Sequence, residues 1–245
     1  MKSALSVILL MIVFGRAAFA ADENAFEKAN KAYAEGRFGE AAANYESLIR
    51  SGKWNANLFY DLGNAWYRVG DFGQAILNYE RALALEPRHP EADANLRLAR
   101  DEARALEMRR DWIERYAGMA TVKQYTIVAA IAIWFALFLV AHSFFGSRHS
   151  AGRIALIVLS LIVAGTSIFG IVTLENSARG NALAIVTGKD VDARLATADN
   201  AKSVLLLPAG SEIKILSERG DWIYAELPND QRGWIPASSA QRVRM

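Results

Sequence analysis

The sequence predicts a multidomain membrane protein, in which a module of repeated α-helical hairpins precedes two transmembrane helices and a small all-β module. Three observations carry this prediction. Eight residues recur at an offset of 34 in the N-terminal part of the chain, and two later runs of 21 residues contain no Asp, Glu, Lys or Arg. After residue 181 short apolar runs alternate with turn-forming residues.

The first 20 residues have the composition of a secretory signal peptide. Lys2 precedes an uncharged apolar stretch over residues 4–14, and residues 18–20 form an Ala-x-Ala cleavage site. We therefore expect residues 1–20 to be a signal peptide that is cleaved at this site. An uncleaved anchor is the alternative, because Arg16 interrupts the segment. In either case we expect the rest of the chain to be exported.

Residues 22–118 are predicted to form a helical repeat domain. The recurring pairs are Asn30/Asn64, Tyr33/Tyr67, Gly36/Gly70, Phe38/Phe72, Gly39/Gly73, Ala41/Ala75, Tyr45/Tyr79 and Glu46/Glu80. The second copy resembles the tetratricopeptide repeat, which implies pairs of antiparallel helices. We expect repeats over about residues 22–55 and 56–89. A capping helix is predicted over residues 90–117, because apolar residues there form one stripe.

This resemblance implies a concave groove, lined by the first helix of each repeat, that binds an extended peptide or another protein. The inward-facing candidates for a partner-binding groove are Asn30, Tyr33, Tyr60, Asn64 and Tyr67. Tyrosines that only pack within the repeats are the alternative.

Some tetratricopeptide proteins hold a C-terminal carboxylate in a clamp of asparagines and basic residues. Asn30 matches the first asparagine, but Asp61 replaces the second. Glu91 and Asn95 stand where the basic pair would be. We expect no clamp, because a bound carboxylate would have no cationic partner there.

Two transmembrane helices are predicted over residues 125–145 and 154–174. Each run has 21 residues, which at ~1.5 Å per residue matches a hydrocarbon core of roughly 30 Å. Small residues at helical spacing would let the two helices approach closely: Ala132 and Ala136 in the first, Ser160 and Ala164 in the second. Residues 146–153 are expected to form a short cytoplasmic loop.

The distribution of basic residues does not decide the orientation of this hairpin. Arg148 and Arg153 lie in the predicted loop, as expected of a cytoplasmic segment. The flank before the first helix is also basic, with Arg109, Arg110, Arg115 and Lys123. We therefore take the orientation from the signal peptide, which places both soluble domains on the periplasmic side of a bacterial inner membrane.

Residues 181–245 are predicted to form a small all-β barrel, from apolar runs at residues 182–186, 204–207, 213–216, 222–227 and 233–236. The sequences Gly-Asp-Trp-Ile-Tyr-Ala at 220–225 and Gly-Trp-Ile at 233–235 resemble the bacterial SH3 domain family. The resemblance implies an aromatic strip for peptide or peptidoglycan, formed by Trp222, Tyr224 and Trp234. Aromatic packing inside the barrel is the alternative.

The composition argues against several functions. The chain has no cysteine and three histidines. His142 is expected in the membrane and His149 in the cytoplasmic loop, whereas His89 is expected on the periplasmic side, so the three cannot form one site. No nucleophile, phosphate-loop or metal-ligand spacing stands out. We therefore expect no enzymatic activity and no cofactor or metal. Nucleic acid is not an expected partner, because the net charge is only +2 and no segment has a large basic excess.

The order of the parts resembles the BatE proteins of the Bat (aerotolerance-operon) group. The resemblance implies a non-enzymatic, membrane-anchored periplasmic scaffold in a cell-envelope complex concerned with aerotolerance or oxidative stress. Its partners would be membrane proteins with von Willebrand factor A domains, beside the lipid bilayer and a MoxR-type ATPase. The alternative is an envelope sensor whose SH3-like domain binds peptidoglycan or cell-wall peptides.

Overall fold

A computed structural model describes residues 25–109, 111–145, 151–177 and 180–244. The predicted signal peptide lies outside the described residues, as do residues 146–150 of the predicted loop. The described chain contains a helical repeat region, a long helical hairpin and a C-terminal antiparallel sheet.

The repeat region is built from helices that alternate with short turns. These helices are α1 (residues 25–34), α2 (Phe38–Arg50), α3 (Ala56–Val69), α4 (Phe72–Leu85) and α5 (Pro90–Ala103). Alanines fill the contacts between consecutive helices and are fully buried, as at Ala41 and Ala75. Their small side chains allow the close helix crossings that a hairpin repeat needs.

Local sequence signals set the helix ends in this region. Asn55 and Asp71 cap α3 and α4, each accepting a backbone N–H three residues on, at 2.9 and 3.1 Å. Gly36 and Gly70 adopt left-handed backbone angles, with φ of 78° and 88°. This shared geometry explains why glycine recurs at these two turns.

The single capping helix predicted over residues 90–117 is interrupted. Helix α5 ends before Arg104, which has a φ of 50°, and the chain then runs to the sheet. The Leu106 N–H donates to Ser211 Oγ at 3.1 Å, and its carbonyl accepts the Glu212 N–H at 2.8 Å. These bonds hold the segment in an extended conformation, so a long-range contact overrides the helical periodicity.

The helical hairpin consists of α7 (Val122–Phe145) and α8 (Ala151–Asn176), preceded by the short helix α6 (Trp112–Ala117). Helices α7 and α8 are long and apolar enough to cross a membrane. Helix α8 begins inside the predicted loop 146–153. The buried positions of α7 and α8 all carry small residues: Ala129, Ala132, Ala136, Ser160, Ala164, Ser167 and Gly170. The predicted approach through small residues is thereby confirmed.

The C-terminal sheet has seven antiparallel strands in the order β3-β2-β6-β5-β4-β1-β7. The strands are β1 (Leu183–Val186), β2 (Val191–Arg194), β3 (Ser203–Leu207), β4 (Glu212–Arg219), β5 (Trp222–Glu226), β6 (Arg232–Pro236) and β7 (Ala240–Arg242). Each predicted apolar run overlaps one of these strands, whereas β2 and β7 lie outside the predicted runs. The sheet is open, because its edge strands β3 and β7 do not pair with each other in the described part of the chain. A closed barrel is therefore not confirmed.

Strand β1 is buried on both faces and joins the sheet to the repeat region. Ala184 and Val186 belong to the core of the sheet. Leu183 and Ile185 instead pack into a second core with α4 and α5. The helical side of this second core comprises Ala75, Ile76, Leu77, Tyr79, Leu96 and Ala99. The sheet thus covers the α4 side of the repeat region, and the opposite side carries the groove described next.

Candidate functional site

The first helices of the repeats, α1, α3 and α5, line a groove with a cavity of about 190 Å³. The residues that line the cavity are Tyr33, Asn64, Tyr67, Arg68, Tyr79, Asn95 and Leu98. Three of the five predicted groove residues, Tyr33, Asn64 and Tyr67, therefore come together here. Asn30 and Tyr60 lie outside the cavity lining.

The predicted asparagines hold the repeats together. The Tyr45 hydroxyl donates to Asn30 Oδ1 at 2.7 Å, and the Tyr79 hydroxyl donates to Asn64 Oδ1 at 2.8 Å. The two bonds are equivalent at the offset of 34, which explains why both residue types recur. Asn95 Nδ2 donates to the same Asn64 oxygen at 2.8 Å. Asn64 therefore uses its side-chain oxygen within the repeats. Its amide hydrogens bond to no other described residue and can donate to a ligand.

The two groove tyrosines both pack within the repeats and face the groove. The ring of Tyr33 meets Phe38 edge-on at 5.2 Å, and the ring of Tyr67 meets Phe72 edge-on at 5.5 Å. Both tyrosines are half-buried. The guanidinium of Arg68 lies 4.3 Å from the Phe38 ring centre, a cation–π contact that fixes a positive charge at the edge of the cavity.

Tyr60 lies nearer the N-terminal end of α3 than Asn64 and Tyr67, beside the turn that begins α5. Its ring centre is 5.0 Å from that of His89. The Nδ1 atom of His89 accepts the Ala92 N–H at 3.3 Å and caps α5. The Nε2 atom of the same ring lies 3.3 Å from Asn57 Oδ1. Tyr60 is thus part of the contact between α3 and α5.

Asp61 lies on α3, three residues before Asn64 and outside the cavity lining. It is half-buried, and no hydrogen bond or ion pair joins it to another described residue. Burial raises the pKa of the Asp61 carboxyl to about 6, although nearby His89 lowers it. A half-buried carboxylate without an ion-pair partner favours a cationic ligand group, because the opposite charge would stabilise its ionised form.

Replacing Asp61 by asparagine is expected to stabilise the chain by about 1–2 kcal/mol at pH 8. Because the folded-state pKa lies above the ordinary 3.8, the folded form binds the proton more tightly. The stability of the unsubstituted chain therefore falls as the pH rises from about 4 to about 6, and stays lower above that. The gain from asparagine should vanish near pH 4.

Urea unfolding of the detergent-solubilised chain at pH 4 and pH 8 measures this difference. The matched control is Asp93→Asn, because the side chain of Asp93 is 48% exposed and pairs with Arg97 on α5. An equal gain from both variants, or a gain from Asp61→Asn that does not change with pH, contradicts the assignment of a buried, destabilised carboxylate.

The repeat geometry described above is matched by one known family. Residues 56–89 match the tetratricopeptide repeat. The match covers α3, α4 and the turn before α5, and tetratricopeptide repeats are a non-catalytic interaction motif. No curated protein matches the chain. A tetratricopeptide repeat suggests that the protein takes part in protein–protein interactions.

The sheet carries the three predicted strip residues on the face away from its core. Tyr224 and Trp234 are cross-strand partners on β5 and β6, with ring centres 4.9 Å apart. Trp222 lies two residues before Tyr224 and so points to the same face. All three are half-buried, whereas their neighbours Ile223 and Ile235 belong to the core.

Sequence reasoning missed a buried ion cluster between the repeat region and the sheet. The guanidinium of Arg100 on α5 binds the carboxylates of Glu80 on α4 and Glu212 on β4. Glu107 lies 3.1 Å from the same guanidinium. Helical periodicity places Arg100 among charges outside the apolar stripe, and nothing local signals a partner 112 residues away. Among the described residues, no group of three or more His, Asp or Glu could hold a metal ion.

Proposed function

We propose that this protein is a membrane-anchored, non-enzymatic scaffold whose repeat groove binds an extended segment of a partner protein. One observation carries the proposal. The sheet packs against α4, whereas the opposite side of the repeat region keeps a cavity between α1, α3 and α5. The repeats therefore keep a recessed surface on the side that tetratricopeptide repeats use for partners.

The lining of the groove favours an apolar side chain of a bound peptide, and the neighbouring Asp61 favours a basic one. Tyr33, Tyr67 and Leu98 supply apolar walls, and Leu98 is 55% exposed. Asn64 supplies amide hydrogens for a peptide carbonyl. The half-buried Asp61 favours the basic group, because an opposite charge would lower its raised pKa and stabilise its ionised form.

A second candidate function uses the aromatic face of the sheet. Tyr224 and Trp234 form a contiguous aromatic surface outside the core, with Trp222 beside them. Such a surface suits stacking against a cell-wall peptide or sugar. This candidate corresponds to an envelope sensor with an SH3-like module that binds peptidoglycan.

Site-specific photo-crosslinking in cells tests both candidates with one design. A photoreactive benzoylphenylalanine replaces Leu98 in the groove, Trp222 on the aromatic face, or Leu85 as a control. Leu85 is 44% exposed and lines neither surface. We expect a discrete protein adduct at position 98, its loss when Asp61→Lys is added, and no adduct at position 85.

The outcomes at the three positions separate the candidates. Peptidoglycan fragments attached at position 222 support the sensor, and their absence contradicts it. No adduct at position 98, or the same adducts at positions 98 and 85, contradicts the groove. Asn64 is left unchanged in this design, because its bonds to Tyr79 and Asn95 make it structural as well.

The hairpin and the order of modules support a proposal for the cellular setting. We place α7 and α8 across a bacterial inner membrane, with both soluble modules on the periplasmic side. The resemblance to BatE proteins supports partners with von Willebrand factor A domains and a role in an envelope complex for aerotolerance or oxidative stress. Phosphatase reporters fused after residues 120 and 245 should both be active, and a cytoplasmic signal at either would overturn the orientation.

A further inference from the structure

The short helix α6 presents large apolar side chains that no described residue covers. Trp112 is 65% exposed and Tyr116 is 67% exposed, and Met119 in the following turn is 77% exposed. The rings of Trp112 and Tyr116 meet edge-on at 6.3 Å, so they form one continuous surface. An exposed apolar surface of this kind marks contact with a membrane or a partner.

The position of α6 is fixed against one end of the helical hairpin. The Tyr125 hydroxyl, at the start of α7, donates to the Ala117 carbonyl at 3.1 Å. The ring of Tyr125 lies on Gly170 of α8, where an added Cβ would be 2.9 Å from its Cζ atom. Ala117 itself is buried. These contacts hold α6 at the level where α7 begins and where α8 ends.

Positive charges surround the exposed aromatic side chains. Between residues 109 and 123 the sequence has four basic residues and two acidic ones. Arg109, Arg115 and Lys123 are exposed, and a guanidinium nitrogen of Arg109 lies 3.6 Å from a carboxylate oxygen of the exposed Asp230. These are the residues that leave the orientation undecided by charge counting. A role for them at a lipid surface on this side of the hairpin explains their presence.

We propose that Trp112, Tyr116 and Met119 form a membrane collar that lies in the headgroup layer of the bilayer crossed by α7 and α8. The proposal rests on the membrane hairpin of the proposed function. Tryptophan and tyrosine favour this layer, because their rings are apolar and their N–H and O–H groups need polar partners. Arg109, Arg115 and Lys123 extend to anionic lipid headgroups. The collar sets the distance of the repeat region and the sheet from the membrane.

A spin-label experiment on the full chain in nanodiscs tests the collar. The chain has no cysteine, so single cysteines can be introduced by Trp112→Cys and, independently, Tyr116→Cys. Trp54→Cys provides an aqueous reference on the repeat region, because Trp54 is 45% exposed. Trp134→Cys provides a bilayer reference in the middle of α7, where Trp134 is 73% exposed.

Collisions of each nitroxide with oxygen and with a water-soluble nickel reagent give its depth. We expect labels at positions 112 and 116 to lie between the two references, with nickel accessibility at least about twofold lower than at position 54. Phosphatidylglycerol in the nanodisc should place both labels deeper than phosphatidylcholine alone. Arg109→Gln combined with Arg115→Gln should reduce that difference.

Each outcome separates the collar from the hairpin. Water-like values at position 134 overturn the membrane hairpin. Bilayer values at position 134 with water-like values at positions 112 and 116 overturn the collar alone. Labels at 112 and 116 that are shielded from both reagents indicate a protein partner and also overturn it. Equal depths in neutral and anionic nanodiscs overturn the role of the anionic headgroups.

Discussion

Replacing Arg100 by methionine is expected to lower the free energy of unfolding by about 3–5 kcal/mol. The guanidinium is 8% exposed, and its partners Glu80 and Glu212 are 7% and 0% exposed. Methionine preserves much of the side-chain volume but removes the charge. Glu80 and Glu212 then lose the guanidinium that both of them bind, and losing one partner of a buried ion pair is costly in a medium of low dielectric constant.

Urea unfolding of the detergent-solubilised chain, followed by tryptophan fluorescence, measures this loss. The matched control is Arg97→Met on the same helix. The side chain of Arg97 is 73% exposed in its pair with Asp93, so we expect a loss below about 1 kcal/mol. Similar losses from the two variants would show that the buried cluster contributes no more than a surface ion pair.

A second substitution separates charge from packing. Glu212→Gln alone is expected to destabilise the chain, since Glu212 binds Arg100 and also accepts the Met108 N–H at 2.9 Å. In the Arg100→Met background the same change should cost less than it does in the unsubstituted chain, because the ion pair between Glu212 and Arg100 is already gone. Additive losses in the double variant contradict the electrostatic explanation.

Replacing Gly210 by alanine is expected to cost about 2–4 kcal/mol. Gly210 has a φ of 86°, which alanine adopts only with strain, and an added Cβ would lie 2.2 Å from Ile76 Cδ1. Ile76 is fully buried and cannot swing away. The Gly210 N–H donates to the Val186 carbonyl at 2.6 Å, so the loop cannot easily retreat from α4 either.

Two variants measured in the same urea experiment separate the backbone strain from the contact between modules. Gly220→Ala is the control, because Gly220 also has a positive φ, of 56°, but an added Cβ meets nothing within 4 Å. It should lose only about 1–2 kcal/mol. Adding Ile76→Val to Gly210→Ala removes the clashing Cδ1 atom and should restore part of the stability. Equal losses from the two glycine variants contradict the contact.

The candidate groove was predictable to the extent that it depends on repeat geometry. The offset of 34 residues placed Tyr33, Asn64 and Tyr67 on equivalent faces of successive helices, and they line one cavity. The same offset did not reveal that Asn30 and Asn64 accept hydrogen bonds from tyrosines of the following helices. A repeat pattern indicates which positions correspond, but not which partner each polar atom finds.

The sequence by itself determined the elements whose signals are local. The individual helices and strands are set by residues within a few positions of one another, through side-chain periodicity, capping and turn chemistry. Gly36 and Gly70, for example, mark turns because only the local backbone angle matters there.

Only the tertiary structure decided how these elements meet. The helical stripe continues beyond Arg104, yet the chain leaves the helix there to bond with Ser211 and Glu212. Glu212 in turn completes the charge balance of Arg100 from 112 positions along the chain. Such contacts depend on groups that are distant in sequence and adjacent only after folding, and the burial they achieve outweighs the local helical preference.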